Sequence, residues 1–269
     1  AVEYAPTLVS AADNDSIDMS YNDGVNSQNS TRDVTGVAVS PATITISETD
    51  PYDFGSIAVG ATDTHTFTLT NSGGFTASGI VEVGLGLPYR YLGGSFPGTG
   101  GNCAVTLAPA SGCTVVFEYA PTTTGLQADT IDFQYNNGSA TVNATRAIQG
   151  TGSAAASLTI SETDPYDFGS VTVNGQETHT FTITNTGGVS ATSVGGSGLT
   201  APFTFFGGSF PGTGGTCGGT IGAGSNCNVV VAYNPTVTGT LSDTFDINFF
   251  DGAAAGTSSR AVSYTHLTL

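Results

Sequence analysis

The phrase Ser-Glu-Thr-Asp-Pro-Tyr-Asp-Phe-Gly-Ser occupies positions 47–56 and returns unchanged at 161–170, an offset of 114 residues. Other segments keep the same step. Thr-His-Thr-Phe-Thr starts at Thr64 and Thr178, and Gly-Gly-Ser-Phe-Pro-Gly-Thr-Gly-Gly at Gly93 and Gly207. Cys103 and Cys113 recur as Cys217 and Cys227. A period of this length is too long for a solenoid unit and suits a domain with its own core. Residues ahead of the first full copy also belong to the array. Ser16-Ile17-Asp18 matches Thr130-Ile131-Asp132, Tyr21-Asn22-Asp23-Gly24 matches Tyr135-Asn136-Asn137-Gly138, and Thr31-Arg32 matches Thr145-Arg146 and Ser259-Arg260. The predicted organisation is therefore 1–38 as the closing strands of an incomplete preceding repeat, 39–153 as one repeat and 154–269 as the next. The chain would open on the tail of an earlier copy, as a cut from a longer repetitive protein.

Strand patterning sets the fold class. In 42–47, Ile44 and Ile46 alternate with threonines, the period-two signature of a half-buried strand. In 64–70, His65, Phe67 and Leu69 share one face and threonines fill the other. Further strands are predicted at 57–59, 80–83, 114–119, 128–135 and 140–149, with Asn136-Asn137-Gly138 as a hairpin turn. About seven short strands per unit, regular turn signals and no amphipathic helix predict an all-β fold of tandem β-sandwiches.

The charge balance excludes some partners. Twenty-one acidic residues face four arginines and no lysine, a formal charge of −17. Such a surface repels nucleic acid and anionic lipid. No apolar run is long enough to span a bilayer, so direct membrane insertion is not expected.

Four cysteines allow three pairings. The repeat selects Cys103 with Cys113 and Cys217 with Cys227, one bridge per unit. A four-thiolate zinc site is the rival, but it needs both units to converge and a spacing of ten is long for a zinc knuckle. Paired cysteines point to an extracellular or cell-surface location.

Asp53-Phe54-Gly55-Ser56-Ile57-Ala58-Val59-Gly60, then Thr68-Leu69-Thr70-Asn71-Ser72-Gly73, then the run from Cys113 through Phe117-Glu118-Tyr119-Ala120-Pro121 to Gly125 carry a family resemblance. The second unit repeats it at Asp167-Phe168-Gly169-Ser170, Thr184-Asn185-Thr186-Gly187 and from Cys227 to Pro235. The pattern resembles the ASPM/SPD-2/hydin-type immunoglobulin-like domain in its bacterial choice-of-anchor D form, among the major-sperm-protein-like sandwiches. That resemblance implies tandem immunoglobulin-like domains used as spacers in bacterial surface, secreted or appendage proteins, and it brings no catalytic residues. Two departures stand out. Val59-Gly60-Ala61 becomes Val173-Asn174-Gly175, which unsettles the turn type there. The tail 263–269 leaves the repeat and is similar to a translated sequencing adapter; it reads as non-native or as a variant terminal strand.

Candidate chemistry is sparse. Glu48, Asp50 and Asp53, repeated as Glu162, Asp164 and Asp167, form an acidic cluster of the kind that holds calcium at an interdomain corner. The same residues also make plain Asp-Pro turns, and no Asp-x-Asn-x-Asp-Gly loop is present. No other cofactor is expected. His65 and His179 have no ligand or catalytic partner nearby in sequence, so a structural role is expected. The Gly-rich loops lack the lysine and helix of a phosphate loop. Their aromatics, Phe96 and Phe210, would either pack back or form a contact loop.

The expected function is a non-catalytic extracellular spacer or stalk, with neighbouring repeats or further copies as partners. One alternative is an extracellular filament subunit completed by strands from another subunit. The other is an adhesin module for a surface glycan or protein, with Tyr89, Tyr91, Phe203 and Phe205 beside the two loop phenylalanines as candidate contacts.

Overall fold

The computed structural model describes residues 1–265. It is all-β: an N-terminal hairpin followed by two immunoglobulin-like β-sandwiches. The hairpin is β1 (Ser10–Asn22) and β2 (Ser27–Ala38). The first sandwich comprises β3 (Ile44–Ile46), β4 (Tyr52–Ala58), β5 (Asp63–Asn71), β6 (Ala77–Glu82), β7 (Tyr89–Tyr91), β8 (Thr106–Leu107), β9 (Gly112–Tyr119), β10 (Gly125–Asn136) and β11 (Thr141–Ser153). The second repeats them as β12 (Leu158–Ile160), β13 (Tyr166–Asp167), β14 (Glu177–Asn185), β15 (Ala191–Ser197), β16 (Phe203–Phe205), β17 (Thr220–Ile221), β18 (Asn226–Tyr233), β19 (Thr240–Phe250) and β20 (Ala255–Thr265).

Each sandwich has a four-stranded and a five-stranded sheet. In the first the orders are β3-β5-β9-β7 and β4-β11-β10-β6-β8. Among the described residues that makes nine strands per unit, against the seven or so that alternation reveals. The two-residue β8 and β17 are too short to show a period. The strand predicted at 57–59 is the end of β4, which starts at Tyr52 and runs parallel to β11, from Ile148 opposite Tyr52 to Ser153 opposite Ala58.

Alternation places the core. In β5 the buried apolar residues are Phe67 and Leu69, with threonines outward. They meet Phe117 and, from the facing sheet, Ile131 and Phe133. The second core uses Phe181, Ile183, Val231, Phe245 and Ile247 in the same places. Each such fully buried side chain contributes on the order of 1.5–3 kcal/mol.

The chain path follows from the long strand. It enters the first sandwich beside the β10–β11 turn, where the Ala42 amide donates to the Asn137 carbonyl (2.9 Å). It leaves at Ser153, the opposite end of β11. The second unit enters the same way, with the Ala156 amide on the Asp251 carbonyl (2.8 Å).

The displaced turn glycine leaves the turn itself in place, although the strand before it shortens from seven residues in β4 to two in β13. Asn174 takes the left-handed place of Gly60 (φ 61° and 90°). Its amide donates to the Pro235 carbonyl as that of Gly60 does to Pro121. Asparagine tolerates this conformation, which is why the substitution is silent. Beyond Val262, β20 continues through Thr265, with Ser263 paired to Asp167 and Tyr264 buried. The rest of the tail that the sequence reads as non-native, 266–269, lies outside the described residues.

Candidate functional site

The repeated phrase forms a corner at one edge of each sandwich. Glu48 and Glu162 sit there in the left-handed backbone region (φ 77° and 74°), a conformation costly for a residue with a Cβ and here adopted twice. Each acidic side chain has its own partner. Glu48 reaches the His65 imidazole (3.4 Å to Nε2), and the Tyr52 ring stacks on that imidazole at 4.0 Å. Asp50 accepts from the Ala147 amide (3.1 Å) and faces the Arg146 guanidinium (3.8 Å). Arg146 also donates to the Ile46 carbonyl, tying the two sheets together. Asp53 accepts from the Gly55 amide (2.7 Å) and the Gln149 side chain (2.8 Å).

The second corner repeats most of these contacts, but Ser263 stands where Gln149 does and leaves Asp167 without that side-chain donor. Glu162 meets His179 (3.6 Å), whose Nδ1 lies 2.8 Å from the Tyr166 hydroxyl. Asp164 meets the Ala261 amide (3.0 Å) and Arg260 (3.9 Å), and Asp167 meets the Gly169 amide (2.9 Å). Burial, then the neighbouring acidic charges, push the Tyr52 and Tyr166 hydroxyls above the ordinary tyrosine range.

The cluster thus divides its carboxylates among a histidine, an arginine and backbone amides, and they do not converge on one point. Among the described residues, no three His, Cys, Asp or Glu side chains gather as a metal site. A calcium ion at either corner would have to displace the histidine, the arginine and the amide donors. The pairing of His65 with Glu48 escapes sequence reasoning because it joins the bend after β3 to β5, seventeen residues on.

The cysteines of each unit are joined: Cys103 to Cys113 and Cys217 to Cys227, with Cα–Cα distances of 4.9 and 4.8 Å. The bridge ties the Gly-rich loop to the first residues of β9 or β18. That loop lies along the strand edge, with the Val116 amide on the Pro97 carbonyl and the Leu92 amide on the Val116 carbonyl. Gly98 (φ 87°) is required there, since a Cβ would run into the Val116 carbonyl.

Phe96 and Phe210 turn inward rather than forming the contact loop the sequence allows. Phe96 meets Tyr91 edge-on at 5.7 Å and Phe133 at 6.2 Å, while Phe210 meets Phe205 at 5.6 Å. Tyr89, Phe203 and Phe205 are buried as well, so none of the three offers a platform for a sugar ring. A groove of about 550 Å³ lies beside Gly60–Thr62, Pro88, Arg90 and Pro121, and its one cation, Arg90, is held by Glu118 at 2.6 Å.

A second feature reads in sequence only as a turn. Asn71, fully buried, donates to the Phe75 (2.8 Å) and Leu107 (3.0 Å) carbonyls and accepts from the Thr43 (3.1 Å) and Gly73 (3.0 Å) amides. Asn185 makes the same four bonds to Val189, Ile221, Ser157 and Gly187. One side chain in each unit thereby satisfies four backbone groups from three segments.

Residues 159–260 match the HYDIN/CFA65/VesB-like, Ig-like domain. No curated protein matches the chain. Solved structures similar to it include a Porphyromonas gingivalis W83 protein of unknown function (10% identity, 84% of this chain, 100% of that one, TM-score 0.33). The VesB protease of Vibrio cholerae shares 19% identity over 41% of this chain and 32% of its own, with a TM-score of 0.33. The seventh ASH/PapD-like domain of human CEP192 shares 14% over 43% and 88%, with a TM-score of 0.32. The chain therefore carries, over 159–260, an Ig-like β-sandwich domain of the HYDIN/CFA65/VesB type.

Proposed function

We propose that this chain is a non-catalytic spacer, a run of tandem immunoglobulin-like sandwiches extending an extracellular stalk or a bacterial surface or appendage protein. The observation that carries the reading is the chain path. In each unit the chain enters beside the turn of the closing hairpin and proceeds to the far end of a long final strand. Thirteen residues of extended strand span about 40 Å. Each repeat thus advances the chain by roughly the length of that strand.

Three further features support it. Both corners share the glutamate–histidine, aspartate–arginine and aspartate–amide contacts, so neither copy is set apart as an active site would be. A bridge in each unit suits an oxidising compartment. The charge of −17 keeps like repeats apart. Among the described residues no helix is long and apolar enough to cross a membrane.

Small-angle scattering on the intact chain tests the reading. A compact chain of 269 residues has a radius of gyration of about 18 Å. The spacer should exceed that clearly and give the skewed distance distribution of a rod. A value near the compact one, with a symmetric distribution, would defeat it.

A further inference from the structure

The hairpin β1–β2 is built from the same residues as β10–β11, yet it has no sandwich to close. Ile17, Met19, Tyr21 and Val34 stand 114 positions before Ile131, Phe133, Tyr135 and Ile148. Those four later residues are buried in the first core. Met19 and Tyr21 are 66% and 55% exposed. The bare face is thus the core-facing side of a closing hairpin.

The polar contacts agree. Arg146 and Arg260 donate to the carbonyls of Ile46 and Ile160, which belong to the opening strands of their units. Arg32 holds the same position, and among the described residues its guanidinium has no carbonyl or carboxylate partner. Tyr135 receives the Ile44 amide on its hydroxyl (3.0 Å), whereas Tyr21 has no opening strand to serve.

Two contacts show that the hairpin keeps the geometry of a complete unit. Tyr119 lies over Gly150 so closely that a Cβ there would stand 2.6 Å from the ring, and Tyr4 lies over Gly36 with the same 2.6 Å. The Tyr119 hydroxyl donates to Gln127 (2.7 Å), and the Tyr4 hydroxyl to Asp13 (2.6 Å), 114 positions before Gln127. Tyr4 therefore already stands where the last residue of β9 stands.

The junction repeats the message. Gly252 in the second unit stands between Val189 of its own unit and Ala58, at the end of β4 in the first. Phe75, the counterpart of Val189, is 45% exposed, and the hairpin offers no strand equivalent to β4 to cover it.

We propose that this face is a docking site for the opening strands of one more repeat: a segment of repeat sequence corresponding to β3 through most of β9, ending where Ala1–Tyr4 take over. Its recognition chemistry is an apolar strand face over Met19, Tyr21 and Val34, a free carbonyl and an Asp-Pro acid for Arg32, and an amide for Tyr21. The inference rests on the hairpin's contacts and stands whether or not the chain is a spacer.

The experiment uses the full chain and the full chain preceded by a copy of residues 39–115, since Ala1 corresponds to Val116. Met19 is the single methionine, so peroxide oxidation followed by intact mass reports its exposure directly. The extended protein should oxidise at Met19 about tenfold more slowly or less. Its added segment should resist protease and carry a third disulfide. Ile17→Asp in the extended protein should return Met19 to fast oxidation. Equal Met19 rates in the two proteins, whether the added segment folds or is digested, would overturn the proposal. So would a parent chain whose Met19 becomes protected with rising concentration, because the occupant would then be a second copy of the intact chain.

Discussion

In the first sandwich Tyr119 lies flat over Gly150; in the second, Tyr233 meets Tyr264, the residue in the place of that glycine, with ring centroids 4.5 Å apart. The same location is filled once by a ring against bare backbone and once by two rings. Other differences are also matched. The first unit pairs Arg90 with Glu118 at 2.6 Å, and the second carries Thr204 and Ala232 there. The glutamate–histidine and aspartate–arginine contacts of the corners recur in both units, and the buried asparagines make the same four bonds. The hydrogen-bonded frame is thus held constant, while the packing between frame points changes by neighbours that change together.

The frame should be the most expensive part to break. Asn71→Ala removes two donated and two accepted bonds from four backbone partners, the one to Leu107 fully buried and the others partly so, and an unmade buried bond costs about 1–3 kcal/mol. The first unit should lose about 3 kcal/mol or more in denaturant unfolding, with the second unit's transition unmoved. Asn185→Ala should reverse the pattern. Equal losses in both units from either change would show that the frame is not local.

A packing change made on one side only should cost less. Gly150→Tyr, without the surroundings of Tyr264, should destabilise the first unit by about 1–3 kcal/mol through overpacking against Tyr119. Unchanged thermal stability would mean that the glycine is incidental.

The Arg90–Glu118 pair gives a milder test. Arg90→Thr leaves the largely buried Glu118 without its cation and should cost about 1 kcal/mol. Adding Glu118→Ala should recover most of it, since the second unit works with neither charge. A double-mutant cycle with no coupling would break the claim that these positions vary together.

The smallest effect is at the hairpin tips. Asn137 accepts the Ser139 and Ala140 amides in the first unit, and Asp251 accepts the Ala253 and Ala254 amides in the second. Those amides hold the Asp251 carboxyl below the ordinary aspartate range. A group lowered in the folded state contributes stability above its unfolded pKa of about 3.9, and this is lost as pH falls through the folded value. Acid should therefore speed exchange of the Ala253 and Ala254 amides relative to neutral pH, after correction for intrinsic rates, and leave the Ser139 and Ala140 amides unaffected. Parallel behaviour of the two tips would refute the assignment.

Much of the frame was legible in the sequence. The repeat step, the alternation in β5 and the β-branched run in β9 define strands that favour a sandwich over a barrel. The contents of the corner were legible only as an acidic run, because Glu48 and His65, or Asp50 and Arg146, are brought together by sheet pairing. Asn71 read as a turn residue before Gly73-Gly74. Its recurrence as Asn185 was the available signal, but burial decides its role. Phe96 among glycines could face either way, and only the position of Tyr91 and Phe133 settles that it turns in.

The parallel pairing of β4 with β11 has a mechanical consequence. When the chain is pulled, tension enters the first unit near Asn137 and leaves at Ser153, so it acts along the length of β11. The bonds from Tyr52–Ile148 to Ala58–Ser153, and the long ladder to β10, then bear the load together as a shear patch rather than opening one after another like a zip. Rupture would require many bonds to fail at once, making the first sandwich stiff up to a threshold force and then abruptly extensible, whereas the two-residue β13–β20 pairing gives the second a smaller patch. The bridge between Cys103 and Cys113 would cap that extension, keeping the ten-residue loop closed while the rest of the unit pays out.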